Sequence, residues 1–207
     1  MKILVACEES QAVTKELRKL GEEAYSCDIQ ECSGGHPEWH IKGDVIPFLS
    51  EKWDMIIAFP PCTYLSFAGN RHLSQPGRME KREAARQFFM EFVNADCPRV
   101  VIENPVGYMN SCYRKPDQII HPYMFGDPYI KRTCLWIKGL PLLEPDYLIE
   151  RPQPVYIQTN GKRSGKKRNW TETVSGSDRQ KIRSKTFPGI AAAMSWQWTM
   201  ACRYLGY

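Results

Sequence analysis

The chain has 207 residues, of which 43% are hydrophobic and 12% aromatic, and a formal net charge of +5 at pH 7. A chain of this size buries about 70% of its unfolded surface, and this composition excludes an intrinsically disordered protein. No apolar run approaches the ~20 residues that cross a bilayer, and the first residues follow no signal-peptide pattern, so we expect a cytoplasmic protein without a membrane partner.

The eight cysteines are scattered along the chain, and no two of them form a Cys-x-x-Cys pair. This distribution argues against a zinc knuckle and against a small disulfide scaffold. Cys27, Cys32, His36 and His40 lie close together in the sequence, but their spacing fits no standard structural metal site. We therefore predict no bound metal.

The first elements along the chain are predicted to be a strand, a helix and a second strand. Residues 2–7 are apolar, and apolar residues recur at helical spacing over 12–20, with Ser10 as the expected N-cap. Residues 22–28 form the second predicted strand, which ends at Asp28. An acid at that position of a nucleotide-binding α/β fold accepts hydrogen bonds from ribose hydroxyls, although the loop after the first strand lacks Gly-x-Gly-x-x-Gly.

A turn with two prolines follows the next apolar strand. Residues 36–42 are predicted to be a loop, and residues 53–58 a buried strand that ends before Pro60 and Pro61. Because prolines fix the backbone φ angle, the thiol of Cys62 is held at a defined point where open α/β sheets bind their ligands. Cys62 is thus either a nucleophile or a cysteine that packs as a small hydrophobic residue, the commoner role.

A second strand end with polar side chains comes later in the chain. A polar loop over 64–77 and an amphipathic helix over 78–94 lead to the strand 98–105, which contains Glu103. The alternation of strands and helices predicts an α/β fold with a doubly wound, mostly parallel sheet. Cys62 and Glu103 then face one cleft, where the carboxyl acts as an acid or hydrogen-bond partner, or alternatively pairs with a basic residue.

The last predicted elements are a strand over 132–137, a short strand over 155–158 and a helix over 186–198. Pro188 falls in the first turn of that helix, where a proline is well tolerated.

Positive charge is concentrated in one segment. Residues 158–185 contain nine basic and two acidic residues, so the rest of the chain carries a net charge of −2. This distribution indicates either a local contact with a polyanion or a solvated surface loop.

Three motifs occur in the order Phe-Pro-Pro-Cys at 59–62, Glu-Asn-Pro at 103–105 and Lys-Arg-Thr-Cys-Leu-Trp at 131–136. In these motifs the chain resembles the DNA (cytosine-5) methyltransferase family, and most closely a short branch of phage or prophage type. The likeness covers most of residues 1–140 and again 184–198. The resemblance implies a Rossmann-like, S-adenosylmethionine-dependent methyltransferase fold and methyl transfer to C5 of cytosine in DNA.

The resemblance also implies the catalytic residues. The Pro-Cys turn supplies the nucleophile, here Cys62, which forms a covalent adduct. The carboxylate that engages the base is Glu103, with Pro105 in place of the usual valine. The Gln-x-Arg-x-Arg strand of the family is matched in part by Arg132, since its second arginine falls on Cys134.

An S-adenosylmethionine site is implied as well. The glycine-containing first loop of the family, Phe-x-Gly-x-Gly, is here Ala-Cys-Glu-Glu-Ser. Asp28 fits the acid that binds the ribose, and Asp44 the acid near the adenine. Phe59 stands where enzymes that methylate exocyclic nitrogens need Asp, Asn or Ser, which disfavours that reaction. The implied cofactor residues are Cys7, Glu8, Ser10, Asp28, Ile29, Asp44, Val45, Phe59 and Pro60.

The chain lacks room for a separate target-recognition domain. We expect residues 1–207 to form a single methyltransferase-like domain, in which 140–185 is a reduced basic loop region. The substrate is then duplex or single-stranded DNA with weak sequence specificity, DNA selected by a partner protein, or a cytosine nucleotide. The expected nucleic-acid contacts are Ser66, Arg71, Lys162, Arg163, Lys166, Lys167 and Arg168.

Two alternatives to a DNA methyltransferase remain. The same chemistry can act on a cytosine nucleotide or attach a group other than methyl. The chain can also be a non-catalytic nucleic-acid-binding module that retains the fold, which the altered first loop and the missing recognition region favour.

Overall fold

The structure is a computed structural model that describes residues 1–67, 69, 73–161, 164–169 and 185–207. Its strands within these residues are β1 (Lys2–Ala6), β2 (Glu23–Asp28), β3 (His40–Lys42), β4 (Met55–Ala58), β5 (Val100–Pro105), β6 (Gln118–Ile120), β7 (Thr133–Lys138), β8 (Tyr156–Ile157) and β9 (Lys167–Arg168). The helices are α1 (Ala12–Lys19), α2 (Arg78–Val93), α3 (Met109–Cys112) and α4 (Pro188–Tyr204).

Seven of the strands form one sheet in the order β3-β2-β1-β4-β5-β7-β6. The pairs β1–β2, β2–β3, β1–β4 and β4–β5 are parallel, whereas β7 runs antiparallel to both β5 and β6. The prediction of a mostly parallel α/β sheet is therefore confirmed, with one reversed strand near an edge. From β1 the chain adds β2 and β3 on one side of the sheet and then β4 and β5 on the other side. In open α/β sheets such a switch point places a crevice outside the carboxyl ends of the two central strands, here β1 and β4.

Helices cover both faces of the sheet. Ile57 of β4 belongs to the core that contains Val13 of α1 and Trp198 of α4. Its neighbour Ile56 belongs to the other core, together with Phe89 of α2. Successive side chains of a strand point to opposite faces, so a strand that is buried on both sides is apolar throughout, as the sequence of β4 is.

The prediction of a loop over 36–42 is wrong. A single 3-10 turn at Pro37–Trp39 leads into β3, which pairs in parallel with β2. Only three residues, a histidine, an isoleucine and a lysine, form this edge strand, and its residues are half-buried or exposed. Because a short edge strand needs no apolar run, the sequence contains no periodic signal for it.

The prediction of Ser10 as the N-cap of α1 is also wrong. The N-cap is Gln11, in the left-handed conformation with φ of 55°, and its side chain makes no capping bond. The carboxylate of Glu8 instead accepts the backbone N–H of Val13 at 2.6 Å and that of Thr14 at 3.2 Å. The carboxyl of Glu8 thus satisfies the first-turn donors that a serine hydroxyl usually satisfies.

The last elements agree with the sequence. Pro188 is in the first turn of α4, and β8 falls within residues 155–158. No described helix has both the length and the apolar character that a membrane span requires.

Candidate active site

The turn after β4 presents an exposed thiol. The N–H of Phe59 donates to the carbonyl of Ala6 at 2.9 Å, which continues the sheet by one residue. Two prolines follow, and the carbonyl of Cys62 then accepts the N–H groups of Leu65 and Ser66 at 3.1 and 2.9 Å. Cys62 is exposed at the start of this tight turn, and Ser66 is half-buried at its end.

This turn is attached to the end of β5. The buried Nδ2 of Asn104 donates to the carbonyl of Pro60 at 2.7 Å, and the N–H of Tyr108 donates to the carbonyl of Leu65 at 2.7 Å. A Cβ atom at Gly107 would lie 2.2 Å from that Leu65 oxygen, so only glycine permits this approach. The turn after β4 is therefore joined to the end of β5 by one side-chain and one backbone hydrogen bond.

Two arginines at the start of α2 lie against the same region. Arg78 donates to the carbonyl of Thr63 at 3.4 Å, and its guanidinium lies 4.4 Å from the ring centre of Tyr64. Arg82 is buried, with its guanidinium 4.5 Å from the ring centre of Tyr108. The turn that carries the thiol thus lies between the end of β5 and the basic first turns of α2.

Glu103 lies on the α4 side of the sheet, in a small pocket. Burial raises the pKa of its carboxyl, and the positive charge of Lys131 partly opposes that rise. Among the described residues no group donates a hydrogen bond to this carboxyl. The pocket has room for roughly one water molecule. Its lining consists of Phe59, Glu103, Lys131, Thr133, Thr186, Phe187, Ile190 and Met194.

The two neighbouring basic residues before β7, Lys131 and Arg132, lie in different surroundings. Lys131 lines the pocket with Glu103, whereas Arg132 is exposed. The charge of Arg132 contributes to lowering the pKa of His121 and opposes the rise in the pKa of Cys134. Cys62 does not line the pocket. The thiol lies in the turn after β4 and the carboxyl lies within β5, so the predicted single cleft for both groups is not seen in the part of the chain that the structure describes.

Lys131 and Phe187 were not predicted as site residues, although both line the pocket. Lys131 belongs to the Lys-Arg-Thr-Cys-Leu-Trp motif, but the side of the sheet on which it lies depends on the β5–β7 register. Phe187 is the N-cap of α4 and reaches the pocket only through tertiary packing.

The predicted cofactor residues after β1, β2 and β3 come together. Burial raises the pKa of Cys7, and the negative charges of Asp28 and Asp44 raise it further. Burial, with the same two carboxylates, raises the pKa of Cys27 to about 11. The side chain of Ile29 is 75% exposed next to Asp28, so an apolar surface and two acids lie at the crevice edge of the sheet.

Glu8 has a structural role at the same edge. Its carboxylate is buried and also accepts the hydroxyl of Thr14 at 2.7 Å. Burial raises its pKa to about 7, against the opposing effect of these hydrogen bonds. Of the other predicted cofactor residues, Ser10 is half-buried, and Val45 and Pro60 are buried.

Part of the basic segment forms a hairpin. β8 pairs with β9 so that Tyr156 lies opposite Arg168 and Ile157 lies opposite Lys167. Tyr156 and Ile157 are about half exposed, and Lys166 is exposed at the turn. The other predicted nucleic-acid contacts, Arg71, Lys162 and Arg163, lie outside the described residues, as does most of the basic segment.

No protein-family model matches this chain, and a search of curated proteins finds no match. The chemistry of the site therefore follows from its own side chains. They provide an exposed thiol, a carboxyl group that burial keeps protonated to higher pH, and a crevice with two acids at the strand ends where α/β folds bind nucleotides.

Proposed function

We propose that this protein is an S-adenosylmethionine-dependent DNA (cytosine-5) methyltransferase that acts through a covalent adduct of Cys62. The observation that carries the proposal is the attachment of the Pro-Pro-Cys turn to the end of β5, through the 2.7 Å bond from Asn104 to Pro60. This contact couples the exposed thiol to the strand that bears the protonatable Glu103.

The sheet supports a Rossmann-like fold for this reaction. Its first five strands follow the order β3-β2-β1-β4-β5, which is the order of one doubly wound nucleotide-binding family. In that family the ligand lies at the switch point, which here falls between β1 and β4.

The residues at the crevice fit the nucleoside part of S-adenosylmethionine. Asp28 ends β2, and one of its oxygens accepts the N–H of Gln30 at 2.9 Å, which leaves acceptor capacity for ribose hydroxyls. The exposed Ile29 offers an apolar surface to the adenine, and Asp44 an acceptor for its amino group. When bound there, S-adenosylmethionine would supply an electrophilic methyl group.

Cys62 would activate the base. The C5 carbon of cytosine is a poor nucleophile, but addition of a thiolate at C6 forms an S–C6 bond and converts the ring into an enamine that is nucleophilic at C5. The exposed position of the thiol after two rigid prolines suits attack on a ring that approaches from outside the sheet.

Glu103 would act on the same ring as a proton donor. Addition at C6 places negative charge on N3, and a protonated carboxyl stabilises that charge by hydrogen bonding or proton donation. The rise in the pKa of Glu103 that burial causes favours this protonated form. In a duplex the cytosine would have to leave the base stack to reach these groups.

Mass-spectrometric detection of 5-methylcytosine tests the proposal most directly. Purified protein with S-adenosylmethionine would be offered duplex DNA, single-stranded DNA and cytosine nucleotides in parallel. We expect methylation that Cys62→Ser abolishes and that Cys112→Ser, at another exposed cysteine, leaves unchanged. Methylation of nucleotides alone would move the activity to a small substrate, and methylation that persists in Cys62→Ser would contradict the mechanism.

A further inference from the structure

We infer that a cavity between α2 and the sheet binds a small aromatic carboxylate, at a site separate from the proposed catalytic crevice. This inference goes beyond the proposed function and does not depend on it. Three observations carry it: the volume of the cavity, its aromatic walls, and a lysine at its edge that has no acidic partner among the described residues.

The register of β5 and β7 forms the floor of this cavity. Val100 lies opposite Lys138, and directly opposite residues share a face of the sheet. Ile102 lies opposite Trp136 in the same way, and both belong to the core under α2. Glu103 follows Ile102 in β5 and therefore points to the other face. A ligand in the cavity is thus separated by the sheet from the pocket that contains Glu103.

The cavity is large enough for one or two fused rings. Its volume is about 280 Å³, and the apolar side chains of Val93, Val100 and Ile102 bound it. At ~30 Å³ for each water molecule this is room for roughly nine waters, against roughly one in the pocket with Glu103. Ligand sites are mostly apolar concavities, and this volume is close to the lower end of their range.

Two aromatic side chains form walls that are already held in place. Trp136 donates from Nε1 to the carbonyl of Arg114 at 3.0 Å, and its ring centre lies 5.1 Å from that of Phe89 in an edge-to-face contact. The ring of Tyr113 lies 6.2 Å from the same Phe89 ring. Both Tyr113 and Trp136 line the cavity. A flat ligand can therefore pack against them with little loss of side-chain freedom.

The charged residues that line the cavity are both basic, Arg114 and Lys138. The guanidinium of Arg114 donates to both oxygens of Asp117 at 2.8 Å, so its charge is already balanced. The ammonium of the exposed Lys138 donates to the backbone carbonyl of Ala95 at 3.4 Å and forms no ion pair with a described carboxylate. An ammonium has three N–H donors, and a carboxylate is the acceptor that binds them most strongly. The ligand should therefore be an anion.

The same ligand would contact the end of α3. Tyr113 is the C-cap of that helix, and Arg114 follows it. At the other end of α3, the N–H of Tyr108 donates to the carbonyl of Leu65 in the turn that carries Cys62. Because bound ligand restrains the segments it touches, amide hydrogen exchange should slow over residues 111–114.

Isothermal titration calorimetry with indole-3-acetate as the probe tests the site. We expect saturable binding to one site. The uncharged indole-3-acetamide, and the variant Lys138→Gln with the acid, should each bind about 10-fold more weakly. The matched control is Lys115→Gln, at an exposed lysine that does not line the cavity, and it should bind as wild type does. Val93→Trp, which fills the cavity, should abolish binding, and thermal melting verifies that each variant folds.

Hydrogen exchange with and without indole-3-acetate locates the bound probe independently of the variants. Failure of the wild type to bind the acid saturably would overturn the inference. So would equal affinity for acid and amide, equal affinity of Lys138→Gln and wild type, or slowed exchange confined to segments outside the cavity. Since none of these measurements involves methyl transfer, the inference and the proposed function can fail separately.

Discussion

The carboxyl of Glu103 is half-buried beside Lys131, and burial raises its pKa above the usual value for glutamate. The proposed mechanism needs the protonated form, which is present below this raised pKa and is lost as the pH rises through it. A glutamine at this position keeps an N–H donor but has no proton to give to N3.

We predict that Glu103→Gln lowers the rate of 5-methylcytosine formation by about 10²-fold or more and removes the decline in rate on the alkaline side that the ionisation of Glu103 causes. The measurement is the pH profile of methylation for both proteins. Glu91→Gln, on an exposed position of α2, is the control and should reproduce the wild-type profile. An alkaline decline that is unchanged in Glu103→Gln would show that another group causes it.

At the scale of residues, the sequence predicted which residues lie at the site better than it predicted which side of the sheet their side chains occupy. Cys62 and Glu103 follow apolar runs that are recognisable as strands, so their position at strand ends was predictable. Whether Lys131 or Arg132 enters the pocket depends on which residue of β7 lies opposite Glu103, and a shift of one residue would exchange them. No local pattern contains that register, because the pairing partner lies about 30 residues earlier in the chain.

At the scale of elements, the turn after β4 depends on its contact with the end of β5. Gly107 allows the carbonyl of Leu65 to approach its Cα, and a Cβ atom there would lie 2.2 Å from the oxygen. The carbonyl is backbone, so it cannot rotate away as a side chain can, and the turn must shift instead.

We predict that Gly107→Ala lowers the free energy of unfolding by about 1–3 kcal/mol and also lowers the methylation rate of the folded protein, because the shifted turn carries Cys62. Gly21→Ala is a matched control: Gly21 has φ of +79° and open space around it, so its cost of about 1–2 kcal/mol arises far from the site. Urea unfolding and methylation under native conditions measure the two effects. Equal methylation rates in the two variants would contradict the proposed link between this contact and the nucleophile.

The cap of α1 makes a second prediction at this scale. Burial raises the pKa of Glu8 to about 7 from 4.5, so between these values the folded protein keeps a proton that the unfolded chain releases. The contribution of Glu8 to the free energy of unfolding is therefore full below about pH 4.5 and falls as the pH rises to about 7.

We predict that Glu8→Gln destabilises the protein by about 1 kcal/mol, since an amide accepts from only one of the two first-turn N–H groups. The difference in unfolding free energy between wild type and variant should shrink as the pH rises from 4.5 to about 7. Urea unfolding across this range measures it. A difference that grows with pH would mean that the ionised carboxylate is the better cap.

The two wrong predictions about elements have physical causes. Ser10 has the residue type of an N-cap, but the buried carboxyl of Glu8, three residues before the N-cap Gln11, reaches the same donors. The strand β3 has three residues and lies at an edge, so neither length nor alternation distinguishes it from a loop. Apolar strands of the sheet centre were predictable, since burial on both faces demands an apolar run.

At the scale of the whole molecule, the positive charge is concentrated between residues 158 and 185, while the rest of the chain is slightly acidic. The described part of this segment contains a hairpin whose second strand is Lys167–Arg168, next to the exposed Lys166. In the proposed function these groups would neutralise DNA phosphates and release counterions.

We predict that the triple variant Lys166→Gln, Lys167→Gln and Arg168→Gln binds DNA more weakly and reduces the slope of log affinity against log salt by about 2 to 3. The matched control replaces three exposed lysines elsewhere, Lys19, Lys42 and Lys52, by glutamine and should leave the slope unchanged. Fluorescence anisotropy across a salt series provides the measurement. Equal slopes for both triple variants would place DNA binding elsewhere on the protein.

Covalent trapping tests the central claim, the adduct of Cys62, most directly. Protein, S-adenosylmethionine and an oligonucleotide with 5-fluorocytosine would be incubated and separated on a denaturing gel. Fluorine at C5 cannot leave as a proton does, so the S–C6 bond would persist after methyl transfer. We expect a shifted band that needs both S-adenosylmethionine and Cys62 and that survives in Cys112→Ser. A band that persists in Cys62→Ala, or no band with any DNA substrate, would contradict the proposed DNA reaction.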